Sequence, residues 1–322
     1  MFVGKLMAAL AGAVLCYPAW SQGTADYPVK PVRVVVATAA GGATDLQARL
    51  FAQKLSESLK RQFVVENRPG GNYVPGYGYV GKSAPDGYTL LSAAAVFTVV
   101  PSLNPELPDP VRDYEPISLV TTAPYLLLLH PSLPAKSARD VVGLARAKPG
   151  FLDMGVGSGA SLTNLAALFF ASGAKIKITI IPYKGTGQTI IDAVSGQIHM
   201  FFGNVLSTLP HVKSGRLRAV GVSSAHRSAV LPALPTIAES GVPGYDVTTW
   251  HGWLAPAGTP AAIVGRLSAE LGKAAHAPDV AKKLAEDGGE PVGGSPDQFK
   301  RLIADEVPRW RAIIKQTGLR IE

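Results

Sequence analysis

Two glycine-rich turns stand where the main chain itself could do chemistry. Val32-Arg33-Val34-Val35-Val36 reads as an apolar strand, and it runs into Gly41-Gly42-Ala43-Thr44-Asp45, where a helical pattern opens. The same device returns at Gly155-Val156-Gly157-Ser158-Gly159-Ala160-Ser161. Glycine lets backbone N–H groups turn toward a bound group with no Cβ in the way. A helix start adds unpaired donors and the positive end of the dipole. The chemistry these features suit is anion capture, with a carboxylate clamped by amides from two places. Asp45, in the first turn of its helix, either caps the dipole or serves as a carboxylate that orients loop amides or accepts from a ligand. Asn204, just past the strand-like run 199–202, is placed to donate from the second half of the chain; a plain turn role is the alternative.

Other chemistries lack their residues. Gly155-x-Gly157-x-Gly159 brings its third glycine one position too early for a dinucleotide fingerprint, and no Gly-Lys-Ser/Thr follows either turn. Val156 and Ala160 occupy the outer positions of a would-be nucleophile elbow around Ser158, so an exported hydrolase using Ser158 or Ser161 with a distant histidine is the weaker rival. His130, His199, His211, His226, His251 and His276 lack metal-ligand spacing. His251, between Trp250 and Trp253 in a strand-like run, reads as a pocket wall or hinge residue. The one cysteine, Cys16, falls in a leader, so disulfides, thiolate ligands and thiol nucleophiles drop out of the mature chain. No cofactor is expected.

The 322 residues carry a net charge of +8 scattered without runs, which suits a solvated surface and gives no nucleic-acid signature. Lys5, the apolar stretch 6–16 and Ala19-Trp20-Ser21 form a secretory signal over residues 1–21. Leu15 stands where a lipoprotein box wants a small residue. No later run is long enough to cross a bilayer, so the mature chain is expected in the periplasm.

The elements that must position the two turns alternate between strand and helix, which argues for an α/β fold with a mostly parallel sheet. The first helix is expected from Thr44, with Gln47 as capping-box partner and Leu46, Leu50, Phe51, Leu55 and Leu59 as its buried face. Strands are expected at 63–67, 88–91, 125–130, 176–183, 199–202, 217–223 and 248–255. Helices are expected at 137–147, after the second glycine turn, at 189–194, from Thr259-Pro260, and from Ser295-Pro296-Asp297-Gln298, a capping box with proline at the first helical position. Residues 232–245, rich in Pro and Gly, read as a surface excursion. Two lobes joined by two crossing strands would leave a cleft between them, lobe 1 comprising 27–122 with 249–322 and lobe 2 comprising 123–248. Ligands of open α/β sheets sit outside the carboxyl ends of the strands, where both turns lie.

The chain resembles the periplasmic substrate-binding proteins of the tripartite tricarboxylate transporter type, the Bug family. The likeness covers residues 27–319. It is carried by Tyr27-Pro28, Pro31-Val32-Arg33, Gly41-Gly42-Ala43-Thr44-Asp45, Val65-Glu66-Asn67-Arg68-Pro69-Gly70, Ala84-Pro85-Asp86-Gly87-Tyr88-Thr89-Leu90-Leu91 and Pro182-Tyr183-Lys184-Gly185. Further pieces are Gly241-Val242-Pro243-Gly244-Tyr245, Leu254-Ala255-Pro256-Ala257-Gly258-Thr259-Pro260 and Glu290-Pro291-Val292-Gly293-Gly294-Ser295-Pro296. The resemblance implies a non-catalytic clamshell that closes on a small carboxylated acid, for which a monomer suffices, and passes it to a membrane permease or reports it to a sensor. It implies ligand contacts at Ala40, Gly41, Gly42, Ala43, Thr44 and Asp45, at Gly157, Ser158, Gly159, Ala160, Ser161 and Thr163, and at Asn204. The chain departs from the family at Ala37-Thr38-Ala39-Ala40, where Pro-Phe-Pro-Pro is usual, at Asn164, where a histidine often stands, and at Tyr73, Tyr77 and Tyr79, in a segment that is often small and aliphatic.

Overall fold

The computed structural model describes residues 26–70, 73–157, 161–183 and 185–318. The expected signal segment 1–21 lies outside them. Val32, Val34, Val35 and Val36 are fully buried, as β-branched residues are in a parallel strand covered on both faces. They form β1 (Val32–Val36), which pairs in parallel with β2 (Phe63–Asn67) and β3 (Thr89–Ala94) through the crossovers α1 (Ala43–Leu59) and α2 (Val74–Gly81). β4 (Tyr114–Leu129) then leads to α3 (Ala138–Ala147), β5 (Asp153–Gly157), α4 (Leu162–Ala174), β6 (Thr179–Tyr183) and α5 (Thr186–Ser195). β7 (Met200–Asn204), α6 (Val205–Lys213) and β8 (Arg218–Val222) follow, and β9 (Thr248–Pro256) returns the chain to the first sheet. α7 (Ala261–Ala275), α8 (Pro278–Glu286), β10 (Glu290–Pro291) and α9 (Pro296–Thr317) close it.

The first sheet has the order β2-β1-β3-β9-β4, with β10 on the far side of β4; in the second, β4 lies between β8 and β7, followed by β5 and β6. β4 therefore belongs to both sheets. Its N-terminal part pairs with β9, and 126–129 pairs with β7 and β8. The chain crosses back through Val247, whose N–H donates to the Ser223 carbonyl before β9 begins. This is the two-lobed α/β arrangement with two crossing strands expected from the sequence.

Several elements differ from expectation for identifiable reasons. β4 begins eleven residues before Tyr125 because Pro116 and Pro124 mask a strand that tolerates them through register shifts beside Ser118 and Thr121. α2 has the sequence Val-Pro-Gly-Tyr-Gly-Tyr-Val-Gly, poor in helix formers. Packing holds it: Tyr77 and Val80 are buried, and Gly76 lies against Ala37 so closely that a Cβ would sit 2.4 Å from the alanine Cβ. α1 buries Ala48, Phe51, Ala52 and Leu55, whereas Leu46 is 59% exposed. α6 and α8 have no counterpart in the sequence reading. The 232–245 excursion is irregular but buries Ile237, Val242 and Tyr245. The Ser295–Gln298 capping box forms as expected, and Pro308 lies inside α9.

α9 braces the crossing strands. Gly252 in β9 leaves room for the Phe299 ring, which a Cβ would approach to 2.3 Å, and Phe299 meets Trp250 edge-on at 5.1 Å. Glu306, 3% exposed, takes the Trp250 indole N–H (3.0 Å) and the Thr98 hydroxyl (2.8 Å) on Oε2. Burial pushes its carboxyl up, against the opposing pull of these bonds and of Arg309. On the same side Arg309 donates to the Asp246 carbonyl (3.2 Å), and Glu290 accepts from Ser228 Oγ (3.1 Å) and Ala229 N (2.8 Å).

Removing the carboxyl group orphans the buried Trp250 indole N–H, while the Thr98 hydroxyl keeps the Ala95 carbonyl (2.9 Å). Glu306→Ala is expected to lower unfolding free energy by about 2–4 kcal/mol, read from urea denaturation with the m-value unchanged.

Candidate functional site

Strand direction turns the carboxyl edges of the two sheets toward each other. β3 and β4 are both antiparallel to β9, so β1, β2, β3 and β4 all run the same way. β4 travels from the first sheet into the second, so the carboxyl ends of β1 to β3 point toward the second lobe. There β7 is antiparallel to β4, and β5 is parallel to β7. Their carboxyl ends point back toward the first lobe. Val36 at the end of β1 is level, through Ser92 and Trp253, with Ser118 of β4, while Asn204 at the end of β7 is level with Tyr125. Those two levels are about 20 Å apart along a strand rising ~3.3 Å per residue. Residues 37–43 follow β1 on one side of that gap, and Gly157 at the end of β5 and Asn204 at the end of β7 stand on the other.

In the first wall, residues 39–43 are exposed. Gly41 takes φ +82°, a left-handed conformation glycine enters freely, and extended Gly42 is the N-cap of α1 with no side chain capping it. The leading amides of α1 thus have no side-chain cap. The helix starts at Ala43, not Thr44, and the capping box expected with Gln47 is absent; the Gln47 Oε1 atom is buried without a partner. Asp45 takes over the bracing. It is 2% exposed, and its Oδ2 accepts from Gly41 N (2.8 Å) and Arg49 Nε (3.1 Å). Its Oδ1 faces Arg49 Nη2 (3.0 Å) and accepts from Asn67 Nδ2 (2.9 Å). Asn67 Nδ2 also reaches the Thr38 carbonyl (3.1 Å), so both ends of the turn are tied to the end of β2. The Arg49 hydrogen bond, with help from Gly41 and Asn67, holds the Asp45 carboxyl below its ordinary range despite burial. Ala40, Gly41, Gly42 and Ala43 form the exposed rim, Thr44 is half-buried, and Asp45 lies beneath them.

In the second wall, Ser158, Gly159 and Ala160 lie outside the described residues. Gly157 N donates to Thr163 Oγ1 (2.9 Å), and Ser161, the N-cap of α4, accepts the Asn164 N–H (3.3 Å). Gly157 has no room for a side chain, since a Cβ would fall 2.6 Å from Ser161 Oγ. The Ser161 hydroxyl is thus a helix cap, 3.4 Å from that of Thr163. Asn204 is exposed, is the N-cap of α6 and makes no side-chain cap bond; its carbonyl accepts from the Thr208 hydroxyl (2.7 Å).

The sequence reading did not single out Arg49 or Asn67. Arg49 had a signal, an arginine four residues after an acid on a helix; Asn67 ends a parallel strand before a Pro-Gly turn. His251 is buried in β9, and desolvation pushes its imidazole down to about 4, leaving it neutral at pH 7. Among the described residues no group of three or more His, Cys, Asp or Glu could hold a metal ion, and no helix is long and apolar enough to cross a membrane.

A family model described as the tripartite tricarboxylate transporter family receptor matches residues 47–319. "Protein BugT" of Bordetella pertussis is 35% identical over 299 residues, covering 92% of each chain. The solved structure "R. palustris Rpa4515 with adipate" is 35% identical, with TM-score 0.74, and covers 92% of this chain and 100% of its own. "MatC (Rpa3494) from Rhodopseudomonas palustris with bound malate" is 29% identical, with TM-score 0.71, over 89% of this chain and 100% of that one.

Asp45→Ala frees the Gly41 amide and unties the helix end of the turn from β2, leaving the Thr38 carbonyl on Asn67. It is expected to weaken carboxylate binding about tenfold or more while costing about 1–3 kcal/mol of stability, measured by calorimetry and urea denaturation. Because the folded carboxyl is held low, its contribution is present above the ordinary Asp value of about 3.9 and is lost as pH falls through that value toward the folded one. Asp45→Asn should flatten this acid limb in a series of melting curves.

Proposed function

This chain belongs to the tripartite tricarboxylate transporter receptor family, and we propose that it is a periplasmic receptor that clamps one carboxylate of a small organic acid between main-chain amides of its two lobes. What chiefly supports the reading is that the carboxyl ends of β1 to β3 and of β5 and β7 point toward each other. Ala40 to Asp45 serve from the first lobe, with Asp45 acting through Gly41. Residues 157–161, Thr163 and Asn204 serve from the second. The lobes divide at 122/123 and 248/249, and residues 1–21 are the cleaved signal.

The magnitudes are adequate. A hydrogen bond to a charged group nets about 1.5–3 kcal/mol, and micromolar affinity needs about 8.2 kcal/mol. Four or five amides plus burial of the carbon skeleton reach that after the association terms. Only the shut form lets both walls touch the anion, so binding drives closure. Relatives whose printed names carry adipate and malate point to a dicarboxylate. The closed form is the one handed to a membrane permease or read by a sensor. A hydrolase using Ser161 is not favoured, because that hydroxyl already caps α4; Ser158, the other candidate nucleophile, lies outside the described residues.

Gly42 offers a clean test. Its φ of −77° suits proline, and a Cβ there would meet only the Ala39 carbonyl, at 3.6 Å. Gly42→Pro removes one amide donor and little else. Calorimetry with adipate and malate should show micromolar binding to the wild type and a loss of about tenfold or more in the variant, with an unchanged melting temperature. Failure of folded wild-type protein to bind any di- or tricarboxylate would sink the proposal.

A further inference from the structure

Tyr73 holds φ +72°, the left-handed region that glycine enters freely and a tyrosine side chain disfavours. Strain of this kind persists only where the surroundings enforce it, and it gathers at binding sites. The surroundings here are explicit. Gly76, three residues on, is pressed against Ala37 at the exit of β1, and Asn67 ties the end of β2 to the Thr38 carbonyl. The start of α2 is therefore fixed beside the anion-binding turn, at the same carboxyl edge of the sheet. Tyr73 stacks on Tyr77 at 5.3 Å and 17°, Tyr77 meets Phe97 edge-on, and Phe97 meets Tyr114 likewise. Tyr77, Phe97 and Tyr114 are buried, so the half-buried Tyr73 is the outer member of a rigid aromatic column. The Tyr79 ring is covered by the Arg68 guanidinium at 3.7 Å. Tyr73 has one ring face on Tyr77 and no second ring partner among the described residues.

We propose that Tyr73 selects the tail of the ligand, and that the acid this receptor takes carries an aromatic ring that stacks against Tyr73 at the outer end of the column while its carboxylate sits on the turn amides. This rests on the receptor reading and narrows it to aromatic carboxylates. Offset stacking adds affinity beyond area burial, and a ring held on a buried column is already oriented for it.

Terephthalate and adipate make a matched pair, both dicarboxylates, one flat and aromatic, one aliphatic. Calorimetry is expected to show terephthalate bound more tightly than adipate by the wild-type protein. Tyr73→Gly should lose about tenfold toward terephthalate, equivalent to about 1.4 kcal/mol, and keep adipate within about twofold. Glycine suits the left-handed φ but forfeits the Tyr77 stack, so the discriminating readout is the selective loss of terephthalate in a variant that still melts cooperatively; a merely structural tyrosine would cost both ligands alike. Tyr73→Phe should retain terephthalate affinity. Adipate binding without terephthalate binding, or equal losses for both acids in Tyr73→Gly, overturns the inference and leaves the receptor reading standing. Binding of neither acid, nor of any other carboxylate, by folded wild-type protein overturns both.

Discussion

One strand serves two sheets, and the rest of the molecule depends on that. Because β4 runs on from the first sheet into the second, and because β7 pairs with it antiparallel, the carboxyl edges of the two lobes must confront each other. Had β7 paired in parallel, the carboxyl ends of β5 and β7 would point away from those of β1 to β3. Hydrophobic burial secures the arrangement. Leu126, Leu127, Leu128 and Leu129 are fully buried at the crossing, and Trp250 and Trp253 anchor the return strand. Glu290 and Arg309 then tie first-sheet elements to the 228–229 and 246 segments, so lobe movement must act through a few polar contacts.

At the first turn, geometry separates two roles that sequence merges. Asp45 is a binding-loop acid by position, yet both its oxygens are occupied and it is buried. Its charge is balanced by Arg49 and its direction is set by Asn67. The turn it supports leaves the first amides of α1 facing solvent without a side-chain cap. On the receptor reading proposed above, a carboxylate arriving there would meet donors that need no reorganisation, so neutral peptide groups would be adequate for an anion. The mature chain needs no arginine in contact with the ligand on this account.

Much of this was legible in the residues. The valine run of β1, the paired glycines and the Ser295–Gln298 box are local signals, and local signals survive into the fold. The crossing strands could be placed because 125–130 and 248–255 are apolar and flanked by breakers. What was hidden depended on distant partners. α2 contradicts its own propensity and forms because Gly76 fits Ala37. The first eleven residues of β4 look like a loop because two prolines interrupt them, and only β9 pairing through bulges makes them a strand. Gln47 matched a capping-box spacing from Thr44, but the helix begins at Ala43 with Gly42 as its N-cap, so Thr44 lies inside the first turn and the box has no N-cap hydroxyl. The left-handed Tyr73 could not be read from sequence, since nothing local predicts a tyrosine where glycine is at ease.

A co-crystal structure with a bound dicarboxylate tests the central claim most directly. The account predicts carboxylate oxygens within about 2.7–3.2 Å of main-chain nitrogens between residues 41 and 44 in one lobe and between 157 and 163 in the other, simultaneously. A carboxylate held instead by an arginine side chain, or touching only one lobe, would contradict it.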